Sequence, residues 1–132
     1  MLPIWIAAGG TPASAVRAAK LGLPLALAII GGLPEQFTPF INLFQQTVVK
    51  TGQYVKQLLV GINSHVYIAE NSQQVGDAFY PSYATMMNRI GRERGWPPLS
   101  RPQFDHSLSL KDAFVVGSTQ QVIDKIMYKH EL

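Results

Sequence analysis

The sequence predicts an α/β fold built on parallel strands, and three observations carry that prediction. Strand-like and helix-like segments alternate along the chain, the pattern of parallel strands joined by right-handed helical crossovers. The first two strand-like runs, Pro3 to Ala8 and Leu23 to Ile30, are apolar without alternation, as expected of strands covered on both faces. Each run closes on a glycine pair, Gly9-Gly10 or Gly31-Gly32, where a strand would stop.

After the first run, Thr11-Pro12 opens a helix. Threonine suits the N-cap, and proline suits the first helical position because its missing N–H would have no partner there. Ala13, Val16, Ala19 and Lys20 continue a helix of mostly small residues, and Gly22 suits its left-handed end. After the second run, Pro34 starts another helix. Phe37, Phe40, Ile41, Phe44 and Val48 recur at three and four as its apolar stripe, with Pro39 in the early turns and Gly52 at the end. Leu58 to Ala69 reads as one longer strand carrying Asn63-Ser64-His65 at its middle. Asn71 and Gln74 have capping-box spacing ahead of a long helix. Val75, Phe79, Met86, Met87 and Ile90 face inward, Pro81 bends it and Gly95 ends it. Trp96 to Leu110 reads as irregular, and Ala113 to Val116 as a brief extended piece. Ser118 and Gln121 cap a last helix with Val122, Ile126 and Met127 inward.

At 132 residues the chain has the length of one domain, 1–132. Only 14% of its residues are charged, against roughly 25% in ordinary soluble domains. Such a chain has less polar surface with which to cover itself, so some surface is expected to lie against another chain. With no cysteine there is no disulfide framework, no thiolate nucleophile and no cysteine-based zinc site. The net charge of +3 comes from scattered basic residues and is not a nucleic-acid footprint. No apolar stretch is long and uninterrupted enough to span a bilayer. The closing Lys129-His130-Glu131-Leu132 resembles an endoplasmic-reticulum retention signal. No basic segment precedes the N-terminal apolar run, so a secretory leader is not expected and the cytoplasm is.

The sharpest chemical feature is the strand–turn–helix junction from Gly9 to Ser14. A glycine turn lets backbone approach a ligand closely, and the positive end of the following helix favours an anion. Thr11 and Ser14 add hydroxyls on one side of the first turn. The pattern suits a phosphate, but it equally suits a tight turn with an ordinary threonine cap. It is neither a Walker loop nor a dinucleotide fingerprint, since the lysine of the one and the third glycine of the other are missing. His65 reads as a core histidine. No histidine pair has metal-ligand spacing. Asp105-His106-Ser107 is contiguous, whereas triads draw side chains from separate segments. Arg89, Arg92 and Arg94 beside Trp96 read as a solvated helix end with a packing anchor.

Several blocks together resemble the luciferase-like monooxygenase family. They are Pro3-Ile4-Trp5-Ile6-Ala7, Gly9-Gly10-Thr11-Pro12-Ala13-Ser14-Ala15, Ala18 to Ala26 and Ile29-Ile30-Gly31-Gly32. Further blocks are Val60 to His65, Tyr80-Pro81, Met86 to Pro98, and Val116-Gly117-Ser118 with Val122 and Lys125-Ile126. The resemblance implies part of a TIM-type (β/α)8 barrel: about strands five to seven with their helices, and helix eight. It also implies a flavin mononucleotide (FMN) cofactor, with a deazaflavin as alternative, used in oxidation by oxygen. Its phosphate would be held by Gly9, Gly10, Thr11 and Ser14. The family's usual catalytic histidine and most residues around the flavin ring have no counterpart here, so no residue is assigned to catalysis. A complete barrel of this type takes roughly 250 residues. The chain is therefore expected to be inactive alone and to pair with itself or with a chain supplying the other barrel half. The alternatives are a non-catalytic self-associating α/β module and a generic phosphate-ligand binder.

Overall fold

The computed structural model describes residues 2–53 and 58–132. The chain divides into two compact units, Met1–Ser64 with Leu132 and His65–Glu131.

The first unit runs β1 (Ile6–Ala8), α1 (Pro12–Leu21), β2 (Leu25–Ala28), a 3-10 turn (Pro34–Phe37), α2 (Thr38–Lys50) and β3 (Val60–Asn63). The three strands are parallel in the order β1-β2-β3, with Ile6 beside Leu25 and Leu25 beside Val60. Both crossovers step in the same direction, and a common right hand then places both helices on one face. Leu25 and Leu27 are accordingly fully buried, while Ala26 and Ala28, which alternate with them, are only half-buried. This corrects the expectation that both faces are covered. In the segment from Pro3 to Ala8 only Ala8 is buried, and Ile4 and Trp5 are 61% and 40% exposed. The Trp5 ring instead lies over Gly61, 3.2 Å from where a Cβ would stand.

Helix α1 buries Ala15, Ala18 and Ala19. Side chains this small let it pack closely on β1, β2 and α2. Gly22 ends it at φ 65°, its N–H reaching the carbonyls of Ala18 and Ala19. Pro39 leaves α2 intact because it falls in the first turn, where its missing N–H costs nothing. Phe44 and Val48 are the buried part of the α2 stripe. With Leu25, Leu27 and Ile29 they form the core of this unit, each side chain contributing about 1.5–3 kcal/mol by leaving water.

The second unit runs β4 (Val66–Ile68), α3 (Ser72–Arg94), α4 (Arg101–His106), β5 (Val115–Gly117) and α5 (Thr119–Glu131), with β4 and β5 parallel. The expected single strand from Leu58 to Ala69 is thus two strands with different partners, β3 on β2 and β4 on β5. The break falls at Ser64-His65, where the His65 carbonyl accepts the Val115 N–H at 2.9 Å.

Asn71 caps α3 through Oδ1, which accepts the Gln73 N–H at 2.8 Å. The helix runs through Pro81 and ends at Gly95 with φ 70°. Val75 is buried as expected. Met86 is exposed, however, and the buried face passes instead through Tyr83 and Ala84. The segment expected to be irregular holds α4, started by a capping box between Ser100 and Gln103. This short helix carries Phe104 into a cluster of rings. Its centroid lies 6.0 Å from Phe79, 5.2 Å from Tyr80 and 5.9 Å from both Tyr83 and Phe114.

Helix α5 begins as expected, with the Ser118 N–H donating to Gln121 Oε1 at 2.9 Å. Val122 is buried, but Ile126 and Met127 are exposed, and Lys125 and Lys129 occupy the inner face. The correction has a physical cause. The segment before β5, and β5 itself, present backbone carbonyls that need donors once buried. Lys125 Nζ donates to the carbonyls of Leu108 at 2.7 Å and Val116 at 2.8 Å. Lys129 Nζ donates to that of Ala113. An ammonium on an apolar stem meets both needs, where isoleucine would leave the carbonyls unpaired.

Candidate functional site

The turn between β1 and α1 gathers the four residues singled out from the sequence. Gly10 has φ 94°, a backbone conformation that glycine adopts without steric cost. A Cβ there would lie 3.4 Å from Phe37 Cε1 and 3.5 Å from Phe40 Cε2. The turn therefore rests against two aromatic rings of the 3-10 turn and α2. Beside Gly9 the space is open, with nothing within 4 Å of a would-be Cβ.

Thr11 occupies the N-cap of α1 with extended backbone, yet its side chain makes no cap hydrogen bond. Its hydroxyl pairs with that of Ser14 at 2.7 Å. Arg17 Nη2 donates to Ser14 Oγ at 3.4 Å, placing a guanidinium one turn into the helix. Arg17 was not among the residues singled out from the sequence, although it stands i, i+3 from Ser14. The Ser14 and Ala15 N–H groups reach back to the Thr11 carbonyl at 3.1 and 3.5 Å, and Pro12 has no N–H. Two hydroxyls, a cation and the positive end of a ten-residue helix meet at one exposed turn. That donor set fits a phosphate in both charge and hydrogen bonding.

The other candidates are committed elsewhere. The His65 ring packs edge-on against Tyr83 at 5.2 Å and Phe114 at 6.1 Å. Partial burial lowers its pKa from the ordinary value, and the side chain is half-buried. Asp105 Oδ1 accepts from Arg101 Nε at 2.7 Å, and Ser107 Oγ donates to the Gln103 carbonyl at 3.0 Å. Asp105, His106 and Ser107 therefore form no triad. The Arg94 guanidinium lies 5.2 Å over the Trp96 ring. Among the described residues no group of histidines and carboxylates could hold a metal ion. Burial pushes the Tyr83 phenol up to about 12. Lys129 is pushed down to about 8, first by burial and then by neighbouring Lys125, against the pull of Asp112.

Comparison with solved structures finds larger proteins that share this fold. Monooxygenase RslO1 from Streptomyces bottropensis is 22% identical with a TM-score of 0.69, over 97% of this chain and 37% of its own. The coenzyme F420 dependent tetrahydromethanopterin reductase from Methanopyrus kandleri is 13% identical with a TM-score of 0.64, over 98% of this chain and 42% of its own. The oxygenating constituent of 3,6-diketocamphane monooxygenase from Pseudomonas putida, solved in complex with FMN, is 14% identical. Its TM-score is 0.60, over 96% of this chain and 38% of its own. The chain thus spans about two fifths of the length of these structures. No match was found among curated proteins. No helix among the described residues is long and apolar enough to cross a membrane. The luciferase-like monooxygenase family matches the sequence over residues 1–132, in agreement with the parallel α/β fold, and the chain belongs to that family.

Proposed function

We propose that this chain forms the C-terminal part of a flavin-dependent luciferase-like oxidoreductase and supplies the turn that holds the cofactor's phosphate. Strands β1 to β3 correspond to about strands five to seven of the (β/α)8 barrel, with α5 as helix eight. The observation that carries the reading is the junction from Gly9 to Ser14, where the paired hydroxyls of Thr11 and Ser14 stand at the N-terminus of α1. Gly10 lets the backbone turn there, the Ala13 N–H and the hydroxyl proton not shared within the Thr11–Ser14 pair donate to phosphate oxygens, and Arg17 adds positive charge. FMN would supply the redox chemistry. A deazaflavin carries a phosphate of related chemistry and is the alternative. The residues that would surround the ring belong to the other part of such a barrel, and no residue of this chain is assigned to catalysis.

Flavin fluorescence titration tests the reading, run on the chain alone and with a polypeptide carrying the first half of such a barrel. Quenching that saturates in either arm supports it. Unchanged fluorescence in both arms overturns the cofactor assignment.

A second reading, self-association, is favoured by the sheet. Among the described residues β1 and β3 each pair on one side only, and Ile4 and Trp5 beside β1 stand exposed. Open parallel edges and uncovered apolar side chains favour a further chain. A second copy is the occupant proposed. Sedimentation equilibrium across micromolar concentrations is expected to give a dimer or larger species, and a monomer throughout would contradict it.

A further inference from the structure

We draw no further inference here: the strongest candidate, the exposed apolar stripe of Ile123, Ile126 and Met127 along α5, carries nothing because nothing in the structure shows what covers it.

Discussion

Two adjacent glycines allow the turn's backbone requirement to be measured separately from its packing. Alanine at Gly10 must adopt φ 94°, which costs a residue with a Cβ about 1–3 kcal/mol. The ring atoms of Phe37 and Phe40, at 3.4 and 3.5 Å from that Cβ, are at ordinary contact distance and add little. Alanine at Gly9 meets nothing within 4 Å and no positive φ. By narrowing the unfolded ensemble it contributes about 0.4–1 kcal/mol of stability. The two variants are therefore expected to differ by about 1.5–4 kcal/mol, with Gly9→Ala the more stable. At a urea dependence of about 2 kcal/mol per molar, their unfolding midpoints separate by about 0.8–2 M. Urea titration followed by tryptophan fluorescence and by far-ultraviolet circular dichroism reads this difference. Coincident midpoints would refute the reasoning, because they would mean the chain does not turn at Gly10 through a left-handed conformation.

Other substitutions and conditions test other parts of the structure. Phe104→Ala empties the centre of the ring cluster in the second unit and is expected to cost about 3–5 kcal/mol in chemical denaturation. Ala18→Leu places three extra carbons at a fully buried position where α1 packs against its neighbours. Overpacking of that kind costs about 1–3 kcal/mol, and an unchanged midpoint would show that α1 has room. Alkaline pH should act in two opposed steps. Lys129 is held near 8 in the fold against 10.5 when unfolded, so the unfolded chain binds more protons between those values and stability rises with pH there. Tyr83 is held near 12 against 10, so the folded chain binds more protons and stability falls from pH 10 upward. Burial lowers Lys125 in the same direction, so thermal melts from pH 7 to 12 are expected to show the rise reduced, not removed, by Lys129→Met and the fall reduced by Tyr83→Phe.

The strand–helix alternation was legible because apolar runs and glycine stops are local signals. So were the ends of α1 and α3, where Gly22 and Gly95 take the left-handed conformation that their positions suggested. What failed depended on neighbours distant in sequence. The pattern from Leu58 to Ala69 carries no mark that its two halves pair with different strands. The inner face of α5 was misjudged because hydrophobicity favours Ile126 and Met127. The carbonyls that select Lys125 and Lys129 belong to residues 9 to 17 positions earlier. Tyr83 is missing from the expected α3 stripe, although it stands four residues after Phe79 and is buried. Helix α4 was the avoidable miss, since Ser100 and Gln103 have the same spacing as Ser118 and Gln121. At the candidate site the residues were legible but their bonding was not. Thr11 was read as a backbone cap, whereas its hydroxyl pairs with that of Ser14.

The phosphate assignment is tested most directly by comparing FMN with riboflavin, which differ by the phosphate alone, on the chain joined by its barrel-completing partner or on the chain itself if it binds flavin unaided. Charge-assisted hydrogen bonds contribute about 1.5–3 kcal/mol each. FMN is therefore expected to bind at least about tenfold more tightly than riboflavin, since a single 1.4 kcal/mol increment already gives that factor. The double change Thr11→Ala and Ser14→Ala should remove most of this preference while leaving riboflavin affinity unchanged. Equal affinity for the two flavins, or a preference for FMN that survives the double change, would contradict the assignment of this turn as the phosphate site.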